Sequence, residues 1–361
     1  MPINENKLSE LFEDAFLLLQ QLIAIPSLSR EEQVTADTIA DFLREKGISV
    51  HRQGNNVWAF TGTYDPNKPS LLLNSHHDTV KPNAGYTKDP FSPIIEAGKL
   101  YGLGSNDAGG CLVSLLATFL YFKDIELPYN LCIAATAEEE ISGKNGVEMI
   151  IPLLPDFELA IVGEPTLMQM AVAEKGLLVI DAVVKGKAGH AAREEGENAL
   201  YKALDDLNLI RTYQFDKVSP FLGPTKVTAT IIQAGSQHNV VPDTCTYTLD
   251  VRVTDSYTLE ECLIELRSKL SAELTPRSMR LNSSKVPQGH PILKLADTLN
   301  ISTYGSPTLS DQALIPFPSI KMGPGDSARS HTADEFIYIE ELKEGITGYI
   351  RLLAHYFGMQ Q

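Results

Sequence analysis

Residues 70–80 read SLLLNSHHDTV, an apolar run that leads into two histidines and an aspartate. The run Ser70–Asn74 is typical of a buried strand. Side chains alternate faces along an extended segment, so His76 and Asp78 are expected to point the same way. A carboxylate beside a metal-binding imidazole fixes its tautomer and raises its basicity. The stretch therefore indicates a metal ligand at a strand end, with a purely structural histidine as the simpler alternative.

Four more clusters of polar side chains stand out along the chain: Tyr101–Gly110, Ala137–Glu140, Val162–Thr166, and Gly323–Gly325 followed by Ser330–Glu335. The glycines around Asp107 permit tight turns and leave room for a ligand to approach closely. An aspartate that begins a helix is more often an N-cap. The three glutamates Glu138–Glu140 repel one another, and a divalent cation would relieve that repulsion. Each cluster taken alone also has an ordinary structural explanation.

Together the clusters indicate a metal site at one edge of a sheet. Among helical patterns, strands are predicted at Val57–Thr61, Ser70–Asn74, Asn130–Ala137 and Leu159–Val162. His76, the pair Glu139–Glu140 and Glu164 all lie just past predicted strand ends, where ligands bind in open α/β sheets. Two histidines and several carboxylates form a mixed nitrogen and oxygen ligand set that suits zinc, with cobalt or manganese as substitutes.

The alternation of helix and strand changes after Gly176. About one hundred residues then follow an α+β pattern, which is enough for a separate domain, before the chain returns to a long helix at Glu340–Phe357. We therefore predict an α/β fold: a catalytic domain with a mixed sheet flanked by helices, interrupted by an inserted α+β domain. The predicted bounds are 1–175 and 285–361 for the catalytic domain and 176–284 for the insert.

Local signals refine this outline. Ser29 with Glu32, and Thr258 with Glu261, have the spacing of capping boxes at the start of two helices. A further strand is predicted at Ser278–Asn282, after the second of these helices.

The composition excludes several classes of function. The chain has 361 residues, a formal charge of −16 and a pI near 4.9. Such an acidic surface repels phosphate backbones, so no nucleic-acid partner is expected. No segment approaches the ~20 apolar residues that span a bilayer, and the N-terminus lacks the features of a signal peptide. We therefore expect no membrane partner, a cytoplasmic location and, among the four cysteines, no disulfide.

The chain resembles the family of dinuclear zinc deacylases and exopeptidases, which includes acetylornithine deacetylase, succinyl-diaminopimelate desuccinylase, aminoacylase and a bacterial glutamate carboxypeptidase. The matching motifs occur in the family's order and at similar separations: Ser75–Val80, Gly102–Gly110, Ala135–Glu140, Gly163–Thr166 and the segment around His331. The resemblance extends over essentially the whole chain. It implies a zinc-peptidase-like catalytic domain and an inserted domain that forms a dimer and acts as a lid.

The resemblance implies a role for each matching metal ligand. His76 and Glu164 correspond to the private ligands of one metal ion, and Asp107 to the carboxylate that bridges both ions. Glu140 and His331 correspond to the ligands of the second ion. The implied cofactors are two divalent metal ions, zinc or, as a substitute, cobalt.

The same resemblance assigns residues that act on the substrate. Glu139 corresponds to the general base, and Asp78 to the residue that orients the imidazole of the first metal ligand. The family pattern implies a homodimer in which His190 reaches into the partner's active site and stabilises the oxyanion. Asn239 and Arg252 correspond to positions that help to bind the substrate carboxylate.

Two positions depart from the family pattern. Relatives often carry Met-Lys after the bridging aspartate, where this chain has Ala108 and Gly109. An aspartate often precedes the paired glutamates, where this chain has Glu138. Neither change removes a ligand.

The short insert and residues 135–140 resemble the acetylornithine deacetylase branch of the family. The expected activity is therefore hydrolysis of the amide bond of N-acetylornithine, a small-molecule substrate of arginine biosynthesis. Succinyl-diaminopimelate desuccinylase and a dipeptidase or carboxypeptidase are the alternatives, because acyl selection depends on pocket contacts outside these motifs. A binding protein on an inactive scaffold would be expected to lack ligands or the base, and all of them are present.

Overall fold

A computed structural model of the protein describes residues 5–359. The helices of the described chain are α1 (Glu5–Ile23), α2 (Gln33–Glu45), α3 (Gly110–Phe122), α4 (Val147–Ile150), α5 (Ala199–Thr212), α6 (Leu259–Lys269), α7 (Pro291–Leu299) and α8 (Ile339–Tyr356). The strands are β1 (Val50–Gln53), β2 (Asn56–Phe60), β3 (Ser70–His76), β4 (Ile94–Glu96), β5 (Lys99–Tyr101), β6 (Asn130–Thr136), β7 (Leu159–Val162), β8 (Met170–Glu174), β9 (Gly176–Lys185), β10 (Gly189–His190), β11 (Val218–Ser219), β12 (Gly223–Pro224), β13 (Lys226–Ala234), β14 (Val240–Val241), β15 (Thr244–Val253), β16 (Glu273–Pro276), β17 (Ser284–Lys285), β18 (Thr303–Ser306), β19 (Ser319–Lys321) and β20 (Phe336–Tyr338).

The chain divides into two compact units. The first consists of the described residues up to Val172, Lys285–Tyr304, and the described residues from Ser310 onward. The second consists of Ala173–Ser284 and Gly305–Leu309. Each unit has its own cluster of buried apolar side chains. None of the described helices is long and apolar enough to cross a membrane.

The first unit is built on a mixed sheet with the strand order β1-β2-β6-β3-β7-β19-β8-β17, in which β18 also pairs with β8. Its centre is parallel, because β3 runs parallel to β6 and β7, and β7 runs parallel to β19. All seven residues of β3 are buried. Leu71 and Leu73 join a large apolar cluster, whereas Leu72 joins a smaller one, as expected for alternation across two covered faces. A strand covered on both faces reads as a continuous apolar run.

Helices α1, α3 and α8 pack on one another within the larger cluster. All thirteen residues of α3 are buried, because it contacts the sheet as well as the two other helices. Helix α1 buries only one stripe, formed by Leu11, Ala15, Leu18, Leu19 and Leu22, with the spacing of an amphipathic helix. The predicted mixed sheet flanked by helices is confirmed.

The second unit contains an antiparallel sheet with the strand order β13-β15-β9-β16. Helix α6 begins at the predicted capping box, since Thr258 Oγ1 accepts the Glu261 N–H and the Glu261 carboxylate accepts the Thr258 N–H. Strand β13 forms one edge of the sheet, and Val227 is its only buried residue.

The predicted capping box at Ser29 is wrong. Helix α2 begins after Glu32, and no side-chain bond caps it. The Ser29 hydroxyl instead donates to Asp78 Oδ2 at 2.6 Å. The Glu32 carboxylate accepts the N–H groups of Arg30 and Glu138. Both side chains that would cap a helix are thus used in long-range bonds, which local spacing does not reveal.

The predicted strand at Ser278–Asn282 is also wrong, because the chain forms its strand earlier, at β16. Helix α6 stops at Lys269, and the N–H groups of Ser271 and Ala272 donate to the carboxylate of Asp206 at 2.8 and 3.1 Å. The chain therefore turns directly into β16, which pairs with β9. All four cysteines are buried and free: Cys111, Cys132, Cys245 and Cys262.

Candidate metal centre

One group of predicted ligands meets at His76, the last residue of β3, whose side chain is 1% exposed. Its Nε2 lies 3.3 Å from Asp107 Oδ1 and 3.7 Å from Glu164 Oε1. Glu139 Oε2 lies 3.8 Å from the same nitrogen. Glu164 follows β7, the parallel neighbour of β3, while Asp107 lies in a one-turn helical segment just before α3. The strands therefore bring these side chains together at their carboxyl ends, as predicted.

A second group forms around Glu140. His331 Nε2 lies 3.0 Å from Glu140 Oε2 and 3.7 Å from Asp107 Oδ2. Asp107 thus presents one carboxylate oxygen to His76 and the other to His331. Ligand atoms of His76, Asp107 and Glu140 lie within 4.8 Å of one another. Asp107 is therefore common to both groups.

Asp78 holds the turn that carries the paired glutamates. Its Oδ1 accepts the Glu139 N–H at 3.0 Å, and its Oδ2 accepts the Glu140 N–H at 3.2 Å. Ser29 donates to the same Oδ2. The Nδ1 atom of His76 lies 3.0 Å from the Asp78 carbonyl oxygen and 3.5 Å from Oδ1. Asp78 therefore fixes both the imidazole and the glutamate turn.

The site concentrates negative charge away from solvent. Burial and the nearby Asp107 carboxylate raise the pKa of Glu164 to about 8. Burial likewise raises the pKa of Glu139 well above its usual range. The hydrogen bond to Glu140 raises the pKa of His331 to about 9. Raised pKa values are expected of a cluster of carboxylates that a divalent cation would stabilise.

One carboxylate oxygen indicates where such a cation fits. Glu164 Oε1 is buried and has no hydrogen-bond partner within the described residues, whereas most buried polar atoms have one. It faces His76 Nε2 at 3.7 Å. Imidazole nitrogens and carboxylate oxygens at this spacing suit zinc and related divalent ions. The residues present therefore fit a pair of divalent ions.

Two side chains beside these ligands are turned away from the site. Glu138 has φ 54° and accepts the backbone and side-chain N–H groups of Asn145, so the mutual repulsion expected of three glutamates involves only two of them. His77 bonds to Thr35 Oγ1 and to the Asn55 carbonyl, both at 2.9 Å. Burial lowers the pKa of His77 to about 4, as expected of a structural histidine.

Two of the remaining predicted site residues lie side by side in the second unit. His190 belongs to β10, which pairs with β14, and its Nδ1 accepts the Ala192 N–H at 3.1 Å. The Asn239 carbonyl accepts the Ala191 N–H at 3.0 Å. His190 and Asn239, the residue just before β14, are therefore neighbours at one short two-stranded sheet.

Arg252 lies on a different sheet from this pair, the four-stranded one. It is eight positions from Thr244 along β15, which corresponds to roughly 26 Å of extended chain. Beyond Thr244 the ladder continues through the Gly186 N–H, bonded to the Asp243 carbonyl, towards His190. The Arg252 Nε and Nη2 atoms donate to the carboxylate of its neighbour Asp250 at 2.9 and 3.1 Å. The sheet does not bring Arg252 and Asn239 together.

Sequence reasoning missed three buried carboxylates beside the ligands: Glu32, Asp311 and Glu335. Glu32 accepts the N–H of Glu138, 106 positions away. Asp311 accepts the hydroxyl of Thr136, 175 positions away, and burial raises the pKa of Asp311 to about 6. Such distant partners leave no local signal. Glu335 did have one, because it belongs to the polar cluster that contains His331.

A cluster of histidines and carboxylates at the carboxyl edge of a mixed α/β sheet is the kind of site that metal-dependent hydrolases use. Residues 72–355 match the model of the peptidase family M20/M25/M40, and the chain belongs to that family. The predicted resemblance is therefore confirmed, and so is the prediction of a metal-dependent hydrolytic enzyme.

Comparison with known proteins gives relatives of several specificities. An acetylornithine deacetylase from Shigella sonnei is 28% identical over 98% of this chain and 99% of its own length. A succinyl-diaminopimelate desuccinylase from Methylobacterium radiotolerans is 26% identical over 95% of this chain and 97% of its own. The crystal structure of a dinuclear metal-binding M20 peptidase from Bacillus subtilis has a TM-score of 0.72 at 16% identity, and the match covers 99% of this chain and 100% of that chain. These relatives share the fold and differ in substrate.

Proposed function

We propose that the protein hydrolyses the amide bond of a small N-acyl amino acid with two bound divalent ions, preferably zinc. The observation that carries the proposal is the Asp107 carboxylate, whose two oxygens face His76 and His331. His76 and Glu164 would hold one ion, Glu140 and His331 the other, and Asp107 both. Ions held there polarise the scissile carbonyl and lower the pKa of water.

Glu139 is the proposed general base. Its Oε2 lies 3.8 Å from His76 Nε2, at the edge of the ligand cluster. Burial and the neighbouring carboxylates raise the pKa of Glu139, whereas two neighbouring cations would lower it and keep the carboxylate ionised at neutral pH. The carboxylate would take a proton from the water whose oxygen attacks the carbonyl carbon. It would deliver that proton to the amide nitrogen, so that the C–N bond breaks and the amine leaves as a neutral group.

N-acetylornithine is the proposed substrate, in a biosynthetic route to arginine. A relative named acetylornithine deacetylase matches 98% of the chain, which supports this choice. The relative named succinyl-diaminopimelate desuccinylase is 26% identical and supports the second candidate. The two reactions need the same site chemistry and differ only in how the acyl and amine groups are recognised.

We propose that the second unit forms a homodimer through β13. Within the described residues, this edge strand pairs only with β15, and its Ile231 and Ile232 are 50% and 46% exposed. A groove of about 580 Å³ lies between β13 and α5, lined in part by Leu207 and Ile210. An unpaired edge with apolar side chains is a template for pairing, and a second copy presents the same edge under two-fold symmetry.

The geometry of the second unit supports a shared active site. Arg252 lies roughly 26 Å of extended chain from Thr244 on β15, and His190 pairs with β14, which precedes Thr244, whereas an N-acyl amino acid spans only ~10 Å. This separation favours contributions from two copies to one substrate. We propose that Arg252 binds the substrate carboxylate in its own subunit, while His190 and Asn239 come from the partner.

Substitution of Ile231 by lysine is expected to weaken the dimer about 10- to 100-fold. A charged side chain on the edge strand β13 disfavours the pairing of that strand with a second copy. Sedimentation over a range of protein concentrations measures the dissociation constant. Ile264→Lys is the matched control, since Ile264 is 66% exposed on α6 of the same unit and should leave the dimer intact. Equal dissociation constants for the two variants would contradict the assignment of the interface to β13.

Amine release from a substrate panel tests the proposed function. The purified protein with zinc or cobalt is offered N-acetylornithine, N-succinylornithine, N-acetylcitrulline, N-succinyl-diaminopimelate and several dipeptides. Metal-dependent release that is fastest with N-acetylornithine is expected. Release from dipeptides alone would assign the protein to the exopeptidases, and release from the succinylated substrates alone would assign the second candidate.

A further inference from the structure

Glu335 is a buried carboxylate beside the proposed ligands that the reaction itself does not use. It is 2% exposed, and its Oε1 accepts the N–H groups of Asn106 and Asp107, both at 2.9 Å. The Glu335 carbonyl accepts the Gly102 N–H at 3.0 Å. Three backbone N–H groups of the segment that carries Asp107 therefore bond to one residue.

The turn around Asp107 depends on such an acceptor. Gly104 has φ 76°, and both Asp107 and Ala108 depart from helical backbone angles within the segment Ser105–Gly109. Its N–H groups therefore cannot all be satisfied by a regular helix. Backbone N–H groups that converge in this way form an anion-binding nest. The Glu335 carboxylate fills the nest and so determines where the Asp107 side chain begins.

Glu335 also belongs to the loop that carries His331. The neighbouring Asp334 accepts the backbone N–H of Thr87 at 2.8 Å, and the Asn83 side chain donates to the His331 carbonyl at 3.3 Å. His331 has φ 61°, a backbone conformation that needs such support. The loop is thus bonded to residues 83–87 on one side and, through Glu335, to the Asp107 turn on the other.

We propose that Glu335 is a positioning residue that holds the Asp107 turn and the His331 loop together and thereby sets the affinity for the second metal ion. The inference rests on the proposed function, in which Asp107, Glu140 and His331 hold that ion. Groups that orient metal ligands typically contribute about 10- to 100-fold to metal affinity. The first ion shares only Asp107 with this set and keeps its private ligands His76 and Glu164. The second ion depends on Glu335 through both Asp107 and His331, so the first ion should be affected less.

Titration of metal-free protein with Co²⁺, followed by its visible absorption and by calorimetry, separates the two binding steps. We expect the wild type to bind two ions per chain. In Glu335→Ala, the second ion should bind about 10- to 100-fold more weakly, with the first changed by less than about threefold. Glu335→Gln should be intermediate, since an amide oxygen still accepts N–H groups but without the negative charge.

Asp206→Asn is the matched control, because Asp206 is also a buried carboxylate that accepts two backbone N–H groups, those of Ser271 and Ala272 in the second unit. It should bind both Co²⁺ ions as the wild type does. Wild-type binding of both ions by Glu335→Ala would overturn the proposal, as would an equal loss of both ions in Glu335→Ala and Asp206→Asn. The titration needs no substrate, so a selective loss of the second ion supports the positioning role even if no N-acyl amino acid is hydrolysed.

Discussion

Replacement of Glu139 by glutamine is expected to lower kcat about 10³-fold while both metal ions stay bound. Glutamine has nearly the same shape, and the Glu139 N–H that donates to Asp78 belongs to the backbone, so the turn should survive the change. The amide, however, cannot take a proton from water or pass one to the leaving amine. Only the proton-transfer step should therefore suffer.

Steady-state kinetics together with metal analysis of the same preparation measure this effect. Glu138→Gln is the matched control, because the adjacent glutamate is turned towards Asn145, and its kcat should stay close to that of the wild type. A variant at Glu139 that kept most of its activity would contradict the assignment of the base. Loss of an ion together with activity would instead make Glu139 a ligand, since its carboxylate groups with His76 and Glu164.

Substitution of His190 by alanine is expected to lower kcat about 10²- to 10³-fold, with the metal content unchanged, because one donor to the oxyanion is lost. The defect should be complementable, since His190 is proposed to act in the partner's site. A dimer of one His190→Ala chain and one Glu139→Gln chain contains one site with both residues intact. Two inactive proteins should therefore produce an active one when mixed.

Random exchange of subunits in an equal mixture should restore about a quarter of the wild-type activity per site, because half of the dimers are mixed and half of their sites are complete. The activity is measured after the two variants have been incubated together. A mixture of His190→Ala with Ile231→Lys,Glu139→Gln is the control, because weakened pairing through β13 should reduce the recovery. No recovery in a mixture shown to contain mixed dimers would contradict the shared site.

Much of the fold was predictable because burial imposes a pattern on the sequence. The apolar run before His76 forms β3, covered on both faces, and the capping box at Thr258 begins α6. The errors occurred where a carboxylate distant in sequence accepts a hydrogen bond from a backbone N–H or a hydroxyl group. Asp206 accepts the Ser271 N–H where the chain turns from α6 into β16, and Asp78 accepts from Ser29 in place of a cap.

The candidate site was likewise predictable only in part. The positions of His76, Glu139, Glu140 and Glu164 just past strand ends indicated a common site, and the family resemblance added Asp107 and His331. The structure brings Asp107, Glu140 and His331 together. Glu335 was quoted within its cluster but received no role, because nothing in the local spacing shows that its partner is the N–H of Asp107, 228 positions away. The residue types that can bind a metal ion are recognisable in a sequence, whereas the hydrogen bonds that orient them depend on the tertiary fold.

The most direct test of a two-ion hydrolase is a zinc titration of the metal-free protein, with amine release from N-acetylornithine measured at each step. We expect no release without metal and a maximal rate once about two equivalents of zinc per chain are bound. Undiminished release from the metal-free protein, or none from any N-acyl amino acid or dipeptide after two equivalents are bound, would contradict metal-dependent amide hydrolysis at this site.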